Sequence, residues 1–334
     1  MQTQRLAAFE AFHLAPNDFN GDGISDVLLR DNSGTVTFLY GTSTGAWTVG
    51  PTRAWNPSST IVGIGDLNGD GRADLLFSGG YSDTNGTLLI SVLQTIGAGF
   101  QPDWGVATLV PVGWTVVGTG DFNGDGKTDV LLRDSNGTIS DWLIGTPDET
   151  IVDVPNAPFL SSNAFAANPG PGWDVAGIGD FNADGRSDVL LRNVNGTITE
   201  WLGQANGSFT WNAPATYGLE TSWQVAATGD FDGDGHSDLL LRNIDGTVTE
   251  WLGQANGTFS WNAAATYPLD LAWNPTGVGD FNGDGRSDLL LRNGNIITEW
   301  LGHADGTFSW NANATLDLAM SWQVQPNLGG AGIW

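Results

Sequence analysis

A short string rich in carboxylates occurs six times in this 334-residue chain, in the pattern Asp-x-Asn/Asp-x-Asp-Gly-x-x-Asp. The copies begin at Asp18, Asp66, Asp121, Asp180, Asp230 and Asp280, at intervals of 48, 55, 59, 50 and 50 residues. So many hard oxygen ligands in one loop would repel one another without a cation, and they are typical of Ca²⁺, which takes about six to eight oxygens in flexible geometry. A single copy could be an ordinary solvated turn, but six copies in register favour a metal site.

The oxygen-bearing side chains stand at positions one, three, five and nine of each copy. Position seven varies in type, so we expect its backbone carbonyl to bind the ion. An EF-hand needs a Glu at position 12 and flanking helices; position 12 is Leu or Phe in all six copies, so the ninth-position Asp must close the site. The predicted ligands are Asp18, Asn20, Asp22, Ile24 and Asp26; Asp66, Asn68, Asp70, Arg72 and Asp74; Asp121, Asn123, Asp125, Lys127 and Asp129; Asp180, Asn182, Asp184, Arg186 and Asp188; Asp230, Asp232, Asp234, His236 and Asp238; and Asp280, Asn282, Asp284, Arg286 and Asp288.

Other metals fit these loops less well. Mg²⁺ prefers a stricter octahedron and keeps its waters. Zinc is disfavoured because the chain has no Cys and only one loop contains a His, His236.

Strand-like stretches surround each loop and must position it. In one unit Trp114-Thr-Val-Val-Gly precedes the loop and Val130-Leu-Leu-Arg follows it, and Ser135-Asn-Gly then marks a hairpin turn. Elsewhere the third run alternates, as in Thr197-Ile-Thr-Glu-Trp-Leu, and a fourth is aromatic, as in Ser208-Phe-Thr-Trp. Four short strands in roughly 50 residues predict one blade of a β-propeller.

We therefore predict an all-β fold, a single β-propeller domain over 1–334 with six or seven four-stranded blades. The expected repeat units are 8–55, 56–110, 111–170, 171–220, 221–270 and 271–320. Phe12-His-Leu is expected to be the first strand of unit one, and Ser321-Trp-Gln-Val resembles the opening of unit five, but Gly329 stands where a loop Asp would recur. The tail, 321–334, is thus either a closing strand or a degenerate seventh blade, and we favour six blades.

These units resemble the FG-GAP/VCBS repeats of integrin α-chain-like β-propellers, which include many secreted bacterial proteins. The resemblance covers nearly the whole chain, and the nine-residue loop is its specific part. It implies that each loop links the first two strands of a blade and binds structural Ca²⁺, about six ions in all, through positions one, three, five and nine and the position-seven carbonyl. Ala183 replaces a Gly at position four, which is not a ligand. The uneven early spacings and the tail without a loop depart from the family pattern and leave the blade number open.

Charge and composition limit the partners. Acids outnumber bases 37 to 11, for a net charge of −26, which excludes nucleic acid as a partner because phosphate binding needs clustered bases. No apolar run approaches the length of a transmembrane helix. Without Cys or an N-terminal signal pattern, the chain is interpreted as a secreted or cell-surface bacterial protein, which is either exported through a C-terminal signal or a fragment that lacks its leader.

Repeated Arg and acid residues allow two interpretations. The series Arg30, Arg133, Arg192, Arg242 and Arg292 follows the loops, and Asp141, Glu200, Glu250 and Glu299 recur on the next strand. Ion pairs across neighbouring strands are the favoured interpretation. An Arg-lined ring that holds an acidic ligand is the alternative.

The Trp residues also allow two interpretations. Those before the loops and on the third strands are expected to fill the space between blades. The outer pairs Trp211-Asn212, Trp261-Asn262 and Trp310-Asn311 are candidates for stacking against sugars. The favoured function is an adhesion module for carbohydrate or a cell-surface ligand; a protein-binding or structural module of a larger secreted protein is the alternative.

An enzyme is disfavoured. Neither His13 nor His303 has a repeated acid or Ser partner, and His236 lies in a metal loop. Glycosidase-like carboxylate pairs among the third-strand acids, as in a polysaccharide lyase or hydrolase, are the third hypothesis. Repetition weighs against them, since an active site is normally unique.

Overall fold

The computed structural model describes residues 15–82, 88–96, 99–145, 159–319 and 321–325. Within them, 24 strands form six antiparallel sheets of four strands each, which confirms the predicted β-propeller. Across the same ranges, the chain contains no helix with the length and apolar character needed to span a membrane.

The strands follow one another along the chain from Val27 to Val324. They are β1 (Val27–Asp31), β2 (Val36–Tyr40), β3 (Thr48–Arg53), β4 (Thr60–Gly65), β5 (Asp74–Ser82), β6 (Leu88–Ile96), β7 (Gly99–Val110), β8 (Trp114–Gly120), β9 (Asp129–Asp134), β10 (Ile139–Gly145), β11 (Phe159–Ala167), β12 (Trp173–Gly179), β13 (Asp188–Asn193), β14 (Thr197–Gly203), β15 (Phe209–Gly218), β16 (Trp223–Gly229), β17 (Asp238–Asn243), β18 (Thr247–Gly253), β19 (Phe259–Pro268), β20 (Asn274–Gly279), β21 (Asp288–Asn293), β22 (Ile296–Gly302), β23 (Phe308–Asp317) and β24 (Trp322–Val324).

The first sheet joins the two ends of the described chain. Five sheets each take four consecutive strands, from β4 to β23, whereas the first has the order β24-β1-β2-β3. Trp322, Gln323 and Val324 pair with Asp31, Arg30 and Leu29. The described part of the tail, 321–325, therefore contains a closing strand. It occupies the place expected for the strand at Phe12-His-Leu, and residues 12–14 lie outside the described residues.

The hydrophobic core is divided among the junctions between neighbouring sheets. Six clusters of buried side chains lie at the six junctions of the described sheets, including the junction of the sixth sheet with the first. The second residue of each loop enters one of them, as Phe231 does between the fifth and sixth sheets, edge-on to Phe308 at 5.2 Å. Trp114, Trp173, Trp223 and Trp273 pack against these clusters too, as predicted.

Tight turns between second and third strands follow from the sequence signals. Asn-Gly and Asp-Gly supply residues that accept a left-handed backbone. Gly137, Gly196 and Gly246 have φ angles of +86°, +92° and +92°, as the predicted hairpins require.

A closed circle of hydrogen bonds joins the six loops. The backbone N–H at position eight of one loop donates to the carbonyl at position one of the preceding loop. The donors Ala73, Thr128, Ser187, Ser237, Ser287 and Ser25 bond to the carbonyls of Asp18, Asp66, Asp121, Asp180, Asp230 and Asp280. Ser25 to Asp280, at 2.8 Å, closes the circle between the sixth loop and the first.

The glycine before a loop makes this close approach possible. A Cβ added at Gly179 would lie 2.6 Å from the Ser237 hydroxyl oxygen and 2.7 Å from its Cβ. Gly65, Gly120, Gly229 and Gly279 meet position eight of the next loop equally closely.

Gly179→Ala is expected to destabilise the fold by about 1–3 kcal/mol, because the new methyl group overpacks the junction. Gly218→Ala, where a Cβ would meet nothing within 4 Å, is the control and is expected to unfold like the wild type. Chemical denaturation measures both. The double variant Gly179→Ala/Ser237→Gly should recover most of the loss, and no recovery would contradict the contact.

Candidate functional site

Five of the six carboxylate loops link the innermost strand of a sheet to its second strand, and the first loop leads directly into β1. The tight turns are local: in the last loop the N–H groups of Gly283 and Asp284 donate to Asp280 Oδ1 at 2.7 and 3.0 Å, and that of Gly285 donates to Oδ2 at 2.8 Å. Five of the loops keep all three bonds, and the loop with Ala183 keeps two. The first Asp thus organises its own loop.

The ninth-position Asp anchors the loop to the sheet. Asp238 is fully buried, and its Oδ2 and Oδ1 accept bonds from the N–H groups of Phe231 and Gly253, both at 2.8 Å. In all six loops Oδ2 accepts the bond from position two. Burial and, to a smaller extent, the nearby Glu250 carboxylate together raise the pKa of Asp238 to about 9, against the lowering effect of the Gly253 hydrogen bond. The sequence predicted this Asp as a ligand but missed its anchoring role.

Three carboxylates converge in the fifth loop, which is the one such group of potential metal ligands among the residues that the structure describes. Asp230, Asp232 and Asp238 each place an oxygen within 4.8 Å of the others. Since Ca–O bonds are about 2.3–2.6 Å long, oxygens at this separation can share one ion. The last loop adds a buried Asn282 Oδ1 with no hydrogen-bond partner. The donor set therefore fits a calcium ion.

The fifth-position Asp is not part of this convergent group in the fifth loop. His236 Nδ1 lies 2.9 Å from Asp234 Oδ1, and Arg286 bonds Asp284 Oδ2 at 2.8 Å. Arg186 pairs with Asp184 in the same way. The position-seven side chain, for which the sequence predicted a role for the backbone carbonyl alone, thus bonds the position-five carboxylate in these three loops.

In each outer Trp-Asn pair the Trp is exposed and the Asn side chain points away from solvent. Trp211, Trp261 and Trp310 are 61%, 64% and 63% exposed. Adjacent strand residues point to opposite faces, so Asn212 is buried and donates to Glu200 Oε2 at 2.9 Å and to the Asn256 carbonyl of the next sheet at 3.0 Å. Asn262 and Asn311 make the equivalent bonds. Asn212 and Asn311 are therefore buried and Asn262 is half-buried, whereas their Trp neighbours are exposed.

The exposed Trp rings are fixed in orientation. The indole N–H of Trp261 donates to Thr249 Oγ1 at 2.9 Å, and Thr249 Oγ1 lies 2.7 Å from that of Thr266. Trp211 and Trp310 are held by Thr199 and Thr298 in the same manner. Each indole has its polar edge satisfied and keeps its apolar face in solvent.

The predicted Arg–acid pairs across strands do not form among the described residues. Arg192 is opposite Ile198, whereas Glu200 is opposite Leu190. Arg133 instead reaches the next sheet, with Nη1 at 2.6 Å from Asp174 Oδ1. Arg242 likewise bonds Asn274 Oδ1 at 3.0 Å. Arg133 and Arg242 therefore join adjacent blades, whereas Arg292 Nε donates to the Gly294 carbonyl of its own hairpin at 2.8 Å.

The chain matches the models of two related repeat families. The model described as FG-GAP-like repeat matches residues 18–77, 180–241 and 230–291, and the model described as FG-GAP repeat matches residues 112–140. No curated protein matches the sequence.

Solved structures with similar folds differ in activity. An Agrocybe aegerita lectin, described as recognising non-reducing terminal N-acetylglucosamine, has a TM-score of 0.57 at 18% identity, over 92% of this chain and 84% of the lectin. A periplasmic gluconolactonase of Pseudomonas aeruginosa has a TM-score of 0.53 at 14% identity, over 91% of this chain and 82% of its own. A putative 6-phosphogluconolactonase of Bacteroides fragilis has a TM-score of 0.51 at 16% identity, over 90% of this chain and 97% of its own.

Such low identities establish a shared fold and leave binding and catalysis both open. The repeat models cover more than half of the residues, and their matches fall on the carboxylate loops and the strands beside them. The chain belongs to the FG-GAP repeat family.

Proposed function

We propose that this protein is an extracellular binding module, stabilised by calcium in its six loops, that recognises carbohydrate through the exposed Trp faces of its outer strands. The observation that carries the proposal is the threefold repetition of a fixed, exposed indole at Trp211, Trp261 and Trp310. An indole face is a large apolar surface that costs little conformational entropy to hold. The C–H face of a sugar ring is its natural complement.

Calcium is supported by the chemistry of the loops. The residues to hold each ion are those at positions one, three, five and nine, with the carbonyl of position seven. The bound ion would supply the positive charge that these crowded carboxylates lack. Backbone N–H groups, Arg and His also bond these carboxylate oxygens.

An extracellular setting follows from this calcium requirement. Loops of this kind bind calcium over a wide range, about 10⁻⁷ to 10⁻³ M. Millimolar calcium outside the cell would fill even the weaker loops, whereas cytosolic calcium would leave them empty. The net charge of −26 is in keeping with a demand for cations.

Binding is favoured over catalysis by the surroundings of the third-strand acids. Glu200, Glu250 and Glu299 are completely buried in three different sheets, so none can reach a substrate in this conformation. The exposed Trp faces, by contrast, are accessible. The fold of the Agrocybe aegerita lectin demonstrates that such a propeller can present sugar sites.

Calcium is expected to raise the melting temperature relative to EDTA, since a ligand at 100 times its dissociation constant contributes about 2.7 kcal/mol per independent site. Asp230→Ala should reduce this calcium-dependent increase, because it removes one ligand and the acceptor of three loop bonds. Differential scanning calorimetry in both solutions measures the effect. Asp245→Ala, which removes an equal charge at a hairpin turn, should leave the increase unchanged. Equal melting temperatures in calcium and EDTA would refute structural calcium.

The calcium effect is expected to grow with pH. In metal-free protein, burial raises the pKa of Asp238 to about 9 and that of Glu250 to about 8, above their unfolded values near 4. The stability contributed by these protonated groups is complete below pH 4 and is lost as pH rises through 8 and 9. Melting in EDTA should therefore fall between pH 5 and pH 9, while calcium, which binds the ionised forms, offsets the fall. A calcium increment independent of pH would contradict this assignment.

Sugar binding is tested with a glycan array probed in 2 mM calcium and again in EDTA. We expect hits within one sugar class, bound at three sites per chain when the strongest hit is titrated by calorimetry. Trp261→Ala should lower that number to two. Ile244→Ala, which removes a comparably exposed apolar side chain at a hairpin, is the matched control. An array without hits from calcium-loaded protein, or three sites retained after Trp261→Ala, would overturn the proposal and direct attention to a protein partner.

A further inference from the structure

An acid stands at one register position of the third strand in four of the six sheets. Glu200 is opposite Leu190, and Glu250 and Glu299 are opposite Leu240 and Leu290. Asp141 occupies the same position opposite Leu131. The first two sheets have Phe38 and Val92 there, opposite Leu28 and Leu76.

These four acids are buried without a full set of partners. All four are 0% exposed. In the three Glu residues Oε2 accepts a bond from the outer-strand Asn, but no N–H or hydroxyl group donates to Oε1, nor to either oxygen of Asp141. The Glu299 carboxyl also bonds the Asp288 carboxyl, the ninth residue of its own loop. No Arg, Lys or His forms an ion pair with any of them within the described ranges. Burying a carboxylate oxygen without a cation or donor costs free energy. Its repetition in four blades indicates that these acids have a positively charged partner.

Each acid lies on the loop side of its own sheet. Side chains alternate along a strand, so the ninth-position Asp shares a face with the Leu two residues later and with the acid opposite that Leu. Carboxylates of the loop in the same blade act on each of these acids: Asp180 on Glu200, Asp232 on Glu250, and Asp280 and Asp284 on Glu299; Asp305 of the next blade also acts on Glu250. Asp129 and Asp121 act on Asp141. The acid therefore lies close enough to the loop carboxylates of its own blade to interact with them electrostatically.

We propose that in the third to sixth blades this acid supplies a further oxygen to the loop's calcium ion, whereas the first two blades hold calcium by loop ligands alone. The inference rests on the calcium binding of the proposed function. Calcium accommodates up to about eight oxygens, so a ligand beyond the loop's own positions can be added. The consequence is two classes of site, four that release calcium slowly and two that release it faster.

The experiment counts calcium ions by release rate. Calcium-loaded protein is mixed with excess fluorescent chelator in a stopped-flow instrument, and the phases are calibrated as ions per chain. The wild type should show four slow and two fast ions. Glu250→Gln keeps the shape of the side chain but removes its charge, and loss of such a partner weakens metal binding by about 10–100-fold. We expect three slow ions and three fast ones.

Two measurements keep the result interpretable. Glu220→Gln makes the same charge change at an exposed residue and should retain four slow ions. Glu250→Gln should melt in EDTA at least as high as the wild type, because it removes an unpaired buried acid, so its altered release cannot be ascribed to unfolding.

The possible failures are distinct. Six ions released in one phase, or four slow ions in Glu250→Gln, would overturn the role of the third-strand acid while leaving calcium binding intact; the second outcome would show that Glu250 and Asp238 only share a proton. A chain that binds no calcium would overturn both this inference and the calcium part of the proposed function.

Discussion

The circle of hydrogen bonds from position eight of each loop to position one of the preceding loop is the constraint on which the rest of the propeller depends. It fixes where each second strand begins relative to its neighbour, and hence how neighbouring sheets pack. It requires a glycine before the loop in five blades, since any Cβ there meets the position-eight residue. It also places the position-two side chain, Phe or Leu, in the core between sheets. Local loop chemistry and global ring closure are therefore set by the same few residues.

This arrangement has an electrostatic cost. Each ninth-position Asp must be buried to bond the N–H at position two, and in five of the six loops burial raises its pKa well above that of a free carboxyl. Other acids lie close by, and the carboxylates of one loop repel one another. Backbone N–H groups and position-seven bases offset only part of this repulsion. A divalent cation relieves such repulsion while preserving the geometry. Under the proposed function, the residues that shape the ring are also those that bind calcium.

The two faces of the outer strands differ in their surroundings. At the third and fourth strands alternation sends Asn and Glu into the junction between blades and Trp into solvent. One face of these strands therefore joins blades, and the other is available for a ligand. Among the side chains that the structure describes, the exposed outer-strand indoles lie in the last three blades, where the repeat spacing is regular.

The sequence by itself determined the strands, the hairpins, the carboxylate loops and the propeller, because the signals for these lie within a single repeat. The left-handed Gly196 and the loop bonds of Asp280 are of this kind. Only the tertiary structure decided that Trp322–Val324 completes the first sheet, that Arg133 reaches Asp174 of the next sheet, and that Asn212 is buried. Each of these depends on a neighbouring blade. An internal repeat determines the structure of a single blade. The partners of a side chain between two blades depend instead on the twist and distance of the neighbouring blade.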